Sequence, residues 1–128
     1  MLEQIKTFEN NTLAFEVIDG FTEVDEKFAQ KLFNEKLEKG FDKINILVKL
    51  DEYKLSKTNT KAFFEDIIFI FRKFKNLGHI AIVAHSKIVK IMVPIDNLFF
   101  ERASKGREER YFDISQMDQA WEFVNPKK

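Results

Sequence analysis

His79 and His85 are the side chains of this 128-residue chain best suited to proton transfer or metal binding near neutral pH. They bracket the apolar run HIAIVAH, six positions apart. In an extended strand that separation is about 20 Å at ~3.3 Å per residue, too far for one metal ion to join them. His79 is expected to start the strand at the surface. His85 is expected at its carboxyl end, where open α/β sheets hold their ligands. Ser86 follows His85, but neighbouring side chains on a strand point apart, and no G-x-S-x-G turn is present, so the two do not form a hydrolase dyad. Ser86 reads instead as the N-cap of a following helix. Lys87 and Lys90 then fall at that helix's start, where free N–H groups and the helix dipole favour an anion. The competing reading is a pair of solvated lysines.

Other chemistries are poorly supplied. The chain has no cysteine, which excludes disulfide scaffolds, thiol catalysis and the usual structural zinc sites. Its four glycines are not clustered into a G-x-G-x-x-G or Walker loop. The carboxylate pairs Glu65-Asp66 and Glu108-Glu109 read as solvated positions. No constellation supplies a nucleophile, its base and a stabiliser together, so no enzyme activity and no cofactor are expected. Lys and Arg number 21, as do Asp and Glu, and this balance disfavours nucleic-acid binding. The charge is uneven along the chain: residues 1–42 carry ten acids and five bases, whereas residues 67–95 carry five bases and no acid. These opposite segments are able to meet between subunits. The longest apolar run, residues 67–71, is far shorter than the ~20 residues of a membrane span, and no signal peptide is visible. A cytosolic protein without integral membrane insertion is the expectation.

Residues 1–128 read as one domain. Residues 3–8 and 12–19 make two strands joined by the turn Asn10-Asn11. Thr22 caps a helix that runs to about Lys39, with an apolar stripe of Val24, Phe28, Leu32 and Leu37 joined by Phe33, and Gly40 stops it. Residues 43–50 form a strand with apolar residues on both faces, as in the interior of a covered sheet. A polar loop leads to a second helix over residues 60–76, ended by Gly78. Residues 79–84 carry no charge and read as a central strand. A third helix from Lys87 breaks at Pro94, which lacks the N–H a helix needs, and resumes to about Arg102. Residues 110–114 are a fifth strand. Ser115 and Asp118 resemble a capping box opening a last helix with Ala120, Trp121 and Val124. The expected fold is therefore α/β, a single mostly parallel mixed sheet of five strands with four helices, in the order β-β-α-β-α-β-α-β-α.

Fifteen phenylalanines dominate the aromatic content, either as core filling or as the lining of a pocket or interface. The second helix concentrates them. Phe63, Phe64, Ile67, Ile70, Phe71 and Phe74 form one apolar arc on a helical wheel. Ile68 and Phe69 fall outside it, among Lys61, Glu65, Arg72 and Lys73. The stray pair must be covered by a neighbouring helix, by a second subunit or by a ligand in a mobile pocket.

The ordered set TLAFEVIDG, KINILVKLDE, AFFEDIIFIFRKF, HIAIVAHS and YFDISQMDQAWEFV resembles the SpoIIAA-like family, whose fold is shared by STAS domains and compared with lipid-binding CRAL-TRIO domains. The resemblance covers nearly the whole chain. It implies a small cytosolic module with no general enzymatic activity. In phosphorylatable STAS regulators a serine near the start of the second helix accepts phosphate. The corresponding stretch, LDEYKLSKTNTK, holds Ser56, Thr58 and Thr60 but lacks the Asp-Ser-(Ser/Thr)-Gly type of pattern, so no acceptor is carried over.

The resulting expectation is a non-catalytic, regulatory interaction module, working as a homodimer or with a protein partner. Its surface would comprise Ser56, Thr58, Ile68, Phe69, Arg72 and Lys73. The alternative is a carrier of an apolar or lipid-like ligand held between Phe-rich helices. Phe99 and Phe100 would be its movable walls, with His85, Ser86, Lys87 and Lys90 near a polar head.

Overall fold

Alternating apolar residues build the sheet. In TLAFEV, Leu13, Phe15 and Val17 point to one face and Ala14 to the other. The computed structural model describes residues 2–18, 22–50, 69, 73, 74, 76–85 and 109–125. Within them the strands are β1 (Leu2–Thr7), β2 (Thr12–Val17), β3 (Ile44–Leu50), β4 (Leu77–Ala84) and β5 (Glu109–Asp113). They lie side by side in the order β1-β2-β3-β4-β5. The β1–β2 hairpin is antiparallel and every later pairing is parallel, giving a mixed sheet.

The expected four-helix order is corrected. The described residues contain two helices, α1 (Glu23–Glu38) and α2 (Met117–Val124), the latter preceded by a single 3₁₀ turn, Ile114–Gln116. The helices read over residues 60–76 and from Lys87 to Arg102, with the Pro94 break, fall largely outside the described residues. For the helix read over residues 60–76, the proposed stop at Gly78 is also overturned. Leu77 and Gly78 already belong to β4, and the chain turns one residue earlier, where Asn76 takes a positive φ of 68°. Gly78 is small for another reason. A Cβ there would lie 2.3 Å from Oδ1 of Asn45.

The sheet lies between the two helices. On one face Phe15, Ile46, Val48, Ile80 and Ile82 pack with Ala29 and Phe33 of α1 and with Phe74. The Phe33 and Phe74 rings meet edge-on at 5.0 Å. On the other face Ala14, Leu47, Ala81, Val83 and Phe112 pack with Ala120 and Val124 of α2. β3 is buried on both faces, as its two-sided apolar run requires.

The buried face of α1 matches the expected apolar stripe only in part: Phe33 is buried and Leu32 and Leu37 pack against the core, but Val24 and Phe28 are exposed. Asp25, Ala29, Phe33 and Lys36 are buried, while Val24 is 75% exposed and Phe28 37%. Two polar pins account for the rotation. Asp25 closes a capping box with Thr22, and its Oδ1 also accepts the Leu2 N–H at 2.9 Å. Lys36 donates to the carbonyls of Phe8 and Asn10 at the hairpin turn. The helix is thereby tied to β1 near its start and to the hairpin turn near its end. Burial lowers the Lys36 ammonium below its usual range, and the charge of Lys39 adds to this.

Asp25 carries a pH signature. Burial raises its carboxyl, but the Thr22 N–H, the Thr22 hydroxyl and the Leu2 N–H together outweigh that, and it titrates below its ordinary 3.8. Such a group stabilises the fold above the unfolded-state value, and the contribution is lost as pH falls through the folded-state value. Asp25→Asn is expected to cost about 1–2 kcal/mol at neutral pH. In urea unfolding, its deficit against the unchanged chain narrows as pH drops below 3.8. A deficit constant with pH would show that the carboxylate's charge is irrelevant.

The cap of α2 is shifted from the expected Ser115–Asp118 box. Asp113 accepts the Ser115 N–H, and the Gln116 side chain accepts the Asp113 N–H, so the box opens the 3₁₀ turn two residues earlier. At its far end the Val124 carbonyl accepts from Thr12 Oγ1 at 2.9 Å and Asn45 Nδ2 at 3.0 Å. Asn45 Oδ1 in turn accepts the His79 N–H at 2.8 Å. One buried amide thus joins β3, β4 and the end of α2.

Candidate functional surfaces

Three surfaces among the described residues carry groups able to meet a partner. The first is the carboxyl end of the parallel strands. His85 is exposed there, directly after β4. Asp113 pairs with Ala84 in the ladder, so its carboxylate stands beside the histidine. The Ser115 hydroxyl and the Ser115 N–H hold the Asp113 carboxyl below its usual range, and the charge of His85 adds to this. An anion approaching His85 therefore meets a carboxylate already in place. Among the described residues the strand order is strictly sequential and offers no reversal of the kind that opens a ligand crevice. The other members of the expected anion site, Ser86, Lys87 and Lys90, lie outside the described residues, as do the pocket walls Phe99 and Phe100. His79 lies at the opposite end of β4, half-buried, with its ring 4.9 Å from that of Phe123. Among the described residues, no group of three His, Cys, Asp or Glu side chains could hold a metal ion.

The second surface is helical. Phe69 is 61% exposed, and the Lys73 ammonium lies 4.4 Å from its ring centroid. Ser56, Thr58, Ile68 and Arg72, the rest of the expected interaction surface, lie outside the described residues. Val24 and Phe28 on α1 are further exposed apolar residues. Sequence reasoning missed them by counting them into the core. The competing signal was Asp25, whose place in the capping box fixes the face that α1 turns inward.

The third surface is a groove between β1 and α2. The β1–β2 register shifts between Gln4 and Lys6, a bulge that brings Ile5 and Lys6 onto the α2 side. Phe8 follows at the end of the strand, and its ring lies 5.6 Å from the indole of Trp121. The opposite wall is a stripe of α2 at helical spacing: Asp118, Trp121, Glu122 and Asn125. Between the walls is an open space of about 600 Å³. Sequence reasoning grouped Trp121 with Ala120 and Val124, and it does pack against their cluster, but its half-buried ring also lines the groove. The spacing of 118, 121, 122 and 125 was the signal for a second, polar-aromatic face.

No helix among the described residues is long and apolar enough to cross a membrane. No curated protein and no solved structure matches the chain. A family model described as SpoIIAA-like matches residues 12–125, from β2 to the end of α2, and thus spans the parallel sheet and both helices. The chain belongs to the SpoIIAA-like family.

Proposed function

We propose that this chain is a non-catalytic interaction module of SpoIIAA-like type, with a regulatory role, that works as a homodimer through the helical surface around Phe69. The observation that carries the reading is the exposure of Phe69 beside Lys73. A large ring left in water forgoes roughly 1.5–3 kcal/mol of burial, which an interface recovers. A two-fold contact uses each residue twice, so even one phenylalanine contributes substantially. The bases of residues 67–95 face acids of the N-terminal half in such a dimer, and these rim charges set orientation more than affinity.

Phe69→Glu is expected to give a folded monomer, because it places a charge where the chain's own core has no claim. Circular dichroism and light scattering together decide the matter. An unfolded variant would place Phe69 in the core, and an unchanged oligomer would place it outside any interface. Either result removes this reading.

A further inference from the structure

The groove between β1 and α2 is built for a cation that the described residues do not supply. Asp118 and Glu122 stand one turn apart on α2, both exposed, and neither has an ion-pair partner among the described residues. Like charges at this spacing repel, and Glu122 in the last turn also opposes the helix dipole. Trp121, the side chain whose ring face attracts cations best, flanks them in the lining of the same groove. The apolar floor continues to Phe8 and to Ile5, which is 38% exposed.

The same helix shows the matching chemistry on its other flank, where the Arg110 guanidinium sits 4.8 Å from the ring centroid of Phe123. Lys6, the basic group of the groove, is on the far wall with its ammonium over Phe8 at 5.3 Å. It does not reach the two carboxylates.

We propose that this groove receives an arginine-bearing segment of a partner protein, with the guanidinium stacked on Trp121 and paired with Asp118 and Glu122. A guanidinium fits better than an ammonium because it is planar, weakly hydrated and able to hold a carboxylate with two parallel bonds. The aliphatic stem and a neighbouring apolar side chain of the segment cover Ile5 and Phe8. Asn125 at the groove's end offers an amide to the segment's backbone. This surface lies on the α2 face of the sheet, away from the α1 face where Phe74 packs, so it is independent of the dimer proposed through Phe69.

Trp121 is the chain's single tryptophan, so its emission reports the groove directly. The probe is a blocked octapeptide of two arginine-leucine-arginine-glycine repeats, titrated into the full chain, with a glutamate-for-arginine peptide as control. A saturable emission change is expected with the arginine peptide alone. Its affinity should fall at least about tenfold in the Asp118→Asn/Glu122→Gln double variant and with rising salt. Both substitutions are isosteric at exposed positions, and circular dichroism verifies folding. The single variants serve if the pair fails to fold. Equal affinity in the variant, or an equal response to the glutamate peptide, overturns the proposal. An emission change on dilution without peptide, lost in the double variant, would identify a second copy as the occupant and also overturn it.

Discussion

Phe33→Ala is expected to cost about 3–5 kcal/mol, a large part of the stability of a domain this size. Phe33 is fully buried at the centre of the α1 face, and its ring contacts Phe74 at the entry to β4. Truncation removes the contact that joins the helix to the segment leading into the next strand, and the surrounding strands are too rigid to close the void. Denaturant unfolding with an unchanged m-value would show the loss as one of stability alone. A loss below about 1 kcal/mol would mean that α1 rests on its polar pins and not on its apolar face.

Gly78→Ala is the second large effect, and it depends on Asn45. The added methyl would lie 2.3 Å from Asn45 Oδ1 and 3.2 Å from the Ile44 carbonyl oxygen. To make room, the amide must leave the His79 N–H and the Val124 carbonyl. Strain of about 1–3 kcal/mol and the loss of buried hydrogen bonds, each about 1–3 kcal/mol when a partner is left unsatisfied, give an expected cost of about 3–4 kcal/mol. Asn45→Ala alone should cost about 2 kcal/mol. The double variant should be more stable than the two costs added, by about 1–2 kcal/mol, because the clash disappears with the amide. Strict additivity would mean that the methyl collides with the Ile44 carbonyl instead.

The strands were legible because their apolar residues repeat with period two and lie between turn residues. HIAIVA, with no charge, could only be an inner strand. The capping box of α1 was legible for the same reason, since Thr22 and Asp25 act locally. What failed was whatever depended on a distant partner. Gly78 reads as a helix stop in one dimension, yet its smallness answers a side chain 33 positions away. Val24 and Phe28 look like core until Asp25 is seen to bind β1 and Lys36 the hairpin turn. Of the second surface only Phe69 and Lys73 are described, and Phe69 is exposed there. The groove was not legible, because a bulge at Ile5 leaves no mark in a six-residue strand whose pattern is already irregular.

The sequential strand order has a consequence for synthesis on the ribosome. Each of the five described strands, as it emerges, adds to an edge that already exists, and none of them has to be inserted between two earlier ones. The hairpin of β1 and β2 offers the first template, and β3, β4 and β5 extend it in one direction. Among the described residues it is α2, made after all five strands, that covers Ala14, Leu47, Ala81 and Val83. Its Val124 carbonyl accepts from Thr12, and the Asn125 side chain accepts from Asn10, so a helix made after the five strands fastens the hairpin made before the rest of them. Synthesis of α2 is thus the step at which the described strands gain the cover of their second face.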